Sequence, residues 1–358
     1  MEIKLHPSFE LNGTSFKKTH GLLQFSESLS KPIYIFFKQF FDEADAVKLQ
    51  TSGSTGSPKL IEIKKEYMVN SALATGDFFN LGKGTTALLC MNPEFIAGKM
   101  MLVRALILGW KLDVVTPSLN PLKDVKGAYD FSAMVPLQVL NSLDDLNKVK
   151  KLIIGGGVLS NDLINKIQQK KTHCFATYGM TETVSHIAVK KLNNYPSLRG
   201  GTTKQSVYTI FPKISISTDQ RNCLVIDASN ISETTVITND IVKLISKTSF
   251  EWLGRFDNII NSGGIKLIPE QIEEKLSKII DQRFFVVGIP DNMLGEKLVL
   301  VVEAQRDKGA KIQSEMENLK SLLKYETPKE IYFIDKFVET DTKKIQRKKT
   351  LQLVIPNS

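Results

Sequence analysis

The sequence predicts an α/β protein in three parts: a large N-terminal domain with a mostly parallel sheet, a small antiparallel β subdomain within it, and a small α+β C-terminal domain. Three observations lead there. From about residue 85 to 176, strand-like apolar runs alternate with helical ones, the pattern of a parallel sheet. From about 205 to 253, short strand-like runs follow one another with turn residues between them. After Gly254 a third pattern begins, with two helical runs and three apolar strands. The expected boundaries are 1–256 for the large domain, with the β subdomain at about 205–253, and 257–358 for the small one.

The elements follow in chain order. Residues 1–48 read as a mixed lead-in, where "KPIYIFFKQFF" suits a strand or a helix start. A Gly/Ser/Thr loop, "LQTSGSTGSPKLIEIKK", lies between two apolar stretches, and a helix runs from about Lys64 to Phe79. Candidate strands are "TALLCM", "KLDVV", "FSAMVP", "KLIIGG" and "HCFATYG"; candidate helices are "AGKMMLVRALILG", "PLQVLNSL" and "LSNDLINKIQQKK". The antiparallel set is "VYTIFPKISIST", "NCLVIDAS", "TTVITND", "IVKLISK" and "FEWLG". Past Gly254, "PEQIEEKLSKII" opens on Pro269 and sets Ile272, Leu276 and Ile279 on one helical face. "RFFVVGIP", "KLVLVVEA" and "EIYFID" read as strands and "MENLKSLLK" as a helix.

Composition narrows the function classes. A net charge of +9 favours anionic partners, and small polyanions satisfy it as well as nucleic acid does. Cys90, Cys174 and Cys223 are far apart without CxxC spacing, which argues against a disulfide framework or a zinc site and fits a reducing compartment. His6, His20, His173 and His186 form no ligand cluster. With no signal-peptide core and no apolar run long enough to span a bilayer, the expectation is a cytoplasmic protein.

Six segments carry chemistry. In Thr51-Ser52-Gly53-Ser54-Thr55-Gly56-Ser57-Pro58-Lys59, small residues let the backbone close around phosphate oxygens, N–H and hydroxyl groups donate to them, and Lys59 adds charge. No Gly-Lys-Ser/Thr follows the second glycine, so this is not a Walker A loop, and on composition alone a flexible surface loop is the commoner reading. Tyr178-Gly179-Met180-Thr181-Glu182-Thr183 ends a strand and offers Glu182 as a hard oxygen ligand suited to Mg²⁺; an ordinary turn is the alternative. Gly155-Gly156-Gly157 follows "KLII" and allows close backbone approach to a ligand. The others are Thr238-Asn239-Asp240, the stretch 254–270, and Thr342-Lys343-Lys344-Ile345-Gln346-Arg347.

Taken in chain order, from residue 51 to 347, the segments resemble the signatures of the adenylate-forming superfamily: acyl- and aryl-CoA synthetases, peptide-synthetase adenylation domains and luciferases. The resemblance implies ATP, Mg²⁺ and coenzyme A as cofactors and a small-molecule carboxylic acid as substrate. It implies that Thr51, Ser52, Gly53, Ser54, Thr55, Gly56 and Lys59 hold the triphosphate. Tyr178, with Gly179 and Met180, would meet adenine, Thr181 the α-phosphate, and Glu182 the Mg²⁺. Gly155 and Gly156 would lie against adenine and the acyl pocket, Asp240 would hold the ribose hydroxyls, and Arg255 would contact ribose or phosphate. Asp257 would be the hinge of a mobile C-terminal domain, whose Gly263, Gly264 and Lys266 line a thiol tunnel after rotation. Lys344 takes the catalytic lysine position, in preference to Lys343, because Ile345 and Arg347 then fall into place.

Three departures accompany the resemblance. Asn239 stands where the family has glycine; Asn tolerates left-handed backbone, so the turn is expected to survive. Lys343 replaces another glycine. Only 50 residues precede the phosphate loop, where members have many more. Within the family, "YGMTETVSHI" and "PEFIAGKMMLVRAL" resemble the o-succinylbenzoate–CoA ligases. An acid with a second carboxylate needs a buried cationic partner; Lys99, Arg104 and His186, with Ser185, are the candidates. Another acyl- or aryl-CoA ligase, a carrier-loading enzyme, and a non-catalytic nucleotide-binding protein stay open, as does the oligomeric state.

Overall fold

The computed structural model describes residues 3–50, 60–157, 159–193, 207–305, 309–340 and 345–355. The ambiguous early run is a helix, Lys31–Phe40, because Ile33, Phe36, Phe37 and Phe40 recur at helical spacing and all face the core, with Pro32 in the first turn. Two further helices frame the site. Lys65–Phe79 stops at Asn80, which is left-handed (φ 51°). Ile96–Leu108 stops at Gly109 (φ 70°) and is buried on nearly every side from Gly98 to Leu106.

The strands run β1 (Glu10–Leu11), β2 (Thr14–Ser15), β3 (Ala46–Gln50), β4 (Leu60–Lys64), β5 (Thr86–Leu89), β6 (Lys111–Val114), β7 (Tyr129–Met134), β8 (Val149–Ile154), β9 (His173–Gly179) and β10 (His186–Lys191). There follow β11 (Val207–Ile210), β12 (Ser215–Thr218), β13 (Cys223–Asp227), β14 (Val236–Ser246) and β15 (Ser249–Arg255). Among the described residues, one large sheet has the order β12-β13-β14-β15-β11-β10-β9-β8-β7-β5-β6-β1-β2. Pairing is parallel from β1 through β6, β5, β7 and β8 to β9. It turns antiparallel at β9–β10 and stays so through β11, β15, β14, β13 and β12. The protein is thus mixed α/β, and the antiparallel set continues the large sheet edge-on. "TTVITND" and "IVKLISK", separate runs in the sequence, form the single bulged strand β14.

After a short 3-10 turn at Phe256–Asn258, a second sheet starts. It comprises β16 (Ile260–Ser262), β17 (Ile265–Leu267), β18 (Phe284–Asp291), β19 (Gly295–Glu303) and β20 (Glu330–Ile334). Its order is β17-β16-β19-β18, with β20 parallel to β19. Helix Pro269–Leu276 packs Ile272 and Leu276 against Val286, Leu298 and Leu300. The expected helix "MENLKSLLK" is displaced: the helix spans Gly309–Glu317 and only its last two residues fall in that run. Residues after Glu317 use Leu319 and Leu322 as single anchors on the core, which a series of turns provides as well as a helix. Among the described residues no helix is long and apolar enough to cross a membrane.

Candidate active site

Of the sequence-predicted residues, Gly155 and Gly156 and the run from Tyr178 to Glu182 lie at the C-terminal ends of the parallel strands β8 and β9, where loops of open α/β sheets present ligand sites. At the end of β8, Gly155 lies so close to Thr177 that a Cβ there would overlap the threonine hydroxyl, and Gly156 is left-handed (φ 79°). At the end of β9, a Cβ on Gly179 would run into the Ser185 carbonyl and the His186 Cα. Only glycine lets the chain reverse here and return as β10. The reversal is a 3-10 turn, Thr181–Thr183, held by Met180 N–H donating to Thr183 Oγ1 (3.1 Å) and by that hydroxyl donating to the Ser185 carbonyl (2.9 Å). Glu182 is exposed on this turn. Val184 then adopts φ 64°, ψ −53°, with Ser185 N–H donating to Thr183 O at 2.6 Å. This is a γ-turn, a strained conformation for a β-branched residue and one that no sequence signal announces.

The turn delivers Ser185 and His186 into a buried polar island. Arg104, 2% exposed, donates through Nε to Thr75 Oγ1 (3.2 Å) and through Nη2 to Ser185 Oγ (2.9 Å). His186 Nδ1 lies 3.5 Å from Arg104 Nη2, and its Nε2 lies 3.3 Å from Thr75 Oγ1. Ser71 Oγ donates to Ser185 Oγ at 3.3 Å. Among the described residues no carboxylate pairs with Arg104. Burial pushes its pKa down to about 9, which still leaves it charged near neutrality. Burial, and then the Arg104 charge, hold the His186 imidazole well below its usual pKa, so it is neutral. Lys99 does not join this group. Its ammonium donates to the Glu94 carbonyl and sits 6.0 Å from the Phe36 ring.

Asp240, in β14, forms a second focus. It is 6% exposed, its N–H donates to Thr238 Oγ1 (3.0 Å), and it lies opposite Arg255 in the β14–β15 ladder. Tyr178 donates its hydroxyl to Asp240 Oδ2 (2.7 Å) and Trp252 donates its indole N–H to Oδ1 (3.0 Å). Tyr178 stands edge-on to Tyr208 and Phe250, and burial and the Asp240 charge raise its pKa, keeping it a donor. Arg255 comes within 3.8 Å of Asp240 Oδ1 and pairs with Asp257 at 2.8 Å. The expected left-handed turn at Asn239 is absent: Asn239 lies inside extended β14, and Arg221 donates to its side chain (2.8 Å). The bulge that bends the strand falls after it, between Ile241 and Val242.

Gly263 (φ 58°) and Gly264 (φ 80°) form the two-residue turn between β16 and β17, where paired left-handed residues match strand twist, and Lys266 follows, exposed, in β17. Thr51 to Lys59 and Lys343 and Lys344 lie outside the described residues. Their flanks are described: β3 and β4 pair up to Gln50↔Leu60, and Glu339 bridges Ile345. A cavity of about 350 Å³ lined by Lys83, Asp130, Lys150 and Lys151 opens at the opposite, N-terminal strand ends and is not part of this site.

The profile of AMP-binding enzymes matches residues 39–216. An acyl-CoA synthetase (AMP-forming)/AMP-acid ligase II-like protein from Dyadobacter fermentans is 37% identical in sequence, with a TM-score of 0.59, over 89% of this chain and 93% of that one. The chain belongs to the AMP-binding family of adenylate-forming enzymes. Among curated members of the family, the 2-succinylbenzoate–CoA ligase of Enterococcus faecalis is 26% identical over 94% of this chain and 75% of its own length. The o-succinylbenzoate–CoA synthetase of Bacillus subtilis, solved with ATP and a magnesium ion, shares the fold at a TM-score of 0.70 and 18% identity, over 93% of this chain and 82% of that one. This adenylate-forming chain is therefore an enzyme of the acid–thiol ligase class.

Thr75, Ser71, Trp252 and Arg221 were not among the sequence candidates. Ser71 and Thr75 sit one turn apart on the buried face of helix Lys65–Phe79, a polar pair on an apolar stripe that marks a buried hydrogen-bond site. Trp252 carries no comparable signal, because its partner Asp240 meets it through pairing between strands.

Proposed function

We propose that the chain is an o-succinylbenzoate–CoA ligase: it joins the acid to the α-phosphate of ATP, releases pyrophosphate, and passes the acyl group to the thiol of coenzyme A. The observation that carries the choice of acid is Arg104, a buried cation beside Ser185, just past the Thr181–Thr183 turn, with no carboxylate partner among the described residues. Burying a charge without a counter-ion is costly, and an acid that brings a second carboxylate supplies one. The names of the curated relatives point the same way.

The residues present fit the groups the reaction needs. Asp240 is an acceptor for ribose hydroxyls, Tyr178 borders the adenine position, and Gly155 permits close approach. Glu182 is a lone exposed carboxylate, the kind of ligand Mg²⁺ takes together with substrate phosphates, and no larger acidic or His/Cys cluster exists among the described residues. Bound there, Mg²⁺ neutralises phosphate charge. In the first half-reaction a carboxylate oxygen attacks the α-phosphorus, the bond to the β-phosphate bridging oxygen breaks, and pyrophosphate leaves. Thr181, the loop from Thr51 to Lys59, and Lys344 offset the charge that spreads over the phosphate oxygens. In the second, the thiol sulfur attacks the acyl carbon, the carbon–oxygen bond to AMP breaks, and AMP leaves as the thiol proton passes to solvent. The two domains, 1–256 and 257–358, turn about Asp257 between the steps, bringing Gly263, Gly264 and Lys266 to the thiol path. The three buried free thiols fit a cytoplasmic setting.

Pyrophosphate release measured over a panel of acids, with and without coenzyme A, tests the assignment. Release with o-succinylbenzoate and formation of its CoA thioester are expected; release with fatty acids alone would replace the substrate, and none with any acid would remove the activity. Lys344→Ala should slow pyrophosphate release about a hundredfold, and an unchanged rate would remove Lys344 from the chemistry.

A further inference from the structure

We infer that Trp252 is a positioning residue that, with Tyr178, makes Asp240 selective for a vicinal diol, so that the enzyme takes ribonucleotides in preference to 2′-deoxyribonucleotides. This rests on the reading of Asp240 as the ribose acceptor.

A carboxylate has two oxygens and about four lone-pair directions. In Asp240 each oxygen already takes one donor from the protein: the Tyr178 hydroxyl on Oδ2 at 2.7 Å and the Trp252 indole N–H on Oδ1 at 3.0 Å. Arg255, at 3.8 Å, contributes charge but no hydrogen bond. Among the described residues no other donor reaches the carboxylate, which leaves one acceptor position per oxygen; the side chain is only 9% exposed, so water reaches it poorly. Two adjacent hydroxyls fill both positions. A 2′-deoxyribose fills one and strands the other, and a desolvated polar group left unpaired is what gives hydrogen-bonding sites their discrimination.

Trp252 also fixes the carboxylate plane. With one donor on each oxygen, rotation about the Cβ–Cγ bond breaks a bond on either side. Both donors are themselves held: Tyr178 against Tyr208 and Phe250, whose ring centroids lie 5.8 and 5.1 Å away, and Trp252 by the pairing of β15 with β14 at Val242. Without the indole, Oδ1 regains a free lone pair and the carboxylate can turn to serve a single hydroxyl.

The test uses the full chain and needs no turnover. Isothermal titration with ATP and with 2′-deoxy-ATP, both with Mg²⁺, gives the affinity ratio directly. The wild type is expected to favour ATP about tenfold. Trp252→Phe is expected to bind ATP about tenfold more weakly and to bring the ratio close to one. A folded Trp252→Phe protein that keeps the wild-type ratio overturns the inference; a general loss of stability would not alter that ratio. Should Trp252→Phe fail to fold, Tyr178→Phe decides by the same ratio. A wild type that binds ATP selectively but releases no pyrophosphate with any acid defeats the catalytic reading and leaves this one standing. One that binds neither nucleotide defeats both.

Discussion

Arg104 joins a cost to the fold with the substrate role proposed for it. A guanidinium 2% exposed, whose polar partners among the described residues are hydroxyls and a neutral imidazole, carries a desolvation penalty that no described counter-charge offsets. Arg104→Met keeps the volume and removes the charge. Its melting temperature is expected to equal or exceed that of the wild type, while KM for o-succinylbenzoate rises about tenfold or more and KM for ATP holds. A purely structural arginine would give the reverse: a steep loss of stability with KM unchanged. His186 sets a pH dependence. Its pKa in the folded chain lies below the ordinary 6.5, so the unfolded chain takes up the proton first. The contribution is fully present above about pH 6.5 and is lost as pH falls toward the lower folded value. Melting temperatures recorded between pH 5 and 7.5 should therefore drop less on acidification for His186→Gln than for the wild type. The sequence makes Lys99 and Arg104 equal candidates and His186 a weaker one. Helix geometry separated them, because Lys99 lies more than a turn before Arg104 and bonds back to its own preceding loop.

At the scale of elements, the turn from β9 to β10 is where sequence signals succeed and fail side by side. The Tyr-Gly-Met-Thr-Glu-Thr run marks a tight reversal, and Gly179 is needed because β10 backbone fills the space of its Cβ. Gly179→Ala is expected to cost about 3 kcal/mol of stability. Gly264 is the control: its Cβ would meet open space, and only its left-handed backbone (φ 80°) resists, so Gly264→Ala should cost about 1 kcal/mol in the same denaturant titration. Equal losses would show that close approach is not what Gly179 provides. Val184 had no such legibility. A buried valine reads as core in any sequence, and its γ-turn is imposed by the pairing of His186 back onto Gly179. Likewise, alternation and turn residues identified the strands from 205 to 253, but periodicity is silent about which edge a strand joins. That they extend the parallel sheet follows from β10 pairing with β11 and β11 with β15.

For the molecule as a whole, the 3-10 turn Phe256–Asn258 lies between the two sheets. Across it Gly254 packs against Glu270 so tightly that a Cβ would overlap the carboxylate, and Glu270 Oε2 is buried without a partner among the described residues. A contact that leaves a carboxylate oxygen unsatisfied stores little stability, which is what the hinge proposed at Asp257 would need. Asp257→Pro, which stiffens that turn and removes the ion pair with Arg255, is expected to slow thioester formation at least tenfold more than pyrophosphate release. Equal slowing of the two half-reactions would take the hinge away from this turn.

What the sequence determined by itself is the class of the fold, through hydrophobic period and turn residues, and the chemistry on offer, through short runs whose residues act as neighbours in the chain. Those signals are local, so they survive in one dimension. The tertiary structure decided the rest. It set Asp240 between Tyr178 and Trp252, put Arg104 beside Ser185 and His186, and kept Asn239 extended. Each of these depends on strands and helices distant in sequence meeting at a particular register, and no property of a residue's own neighbours encodes where such a meeting falls.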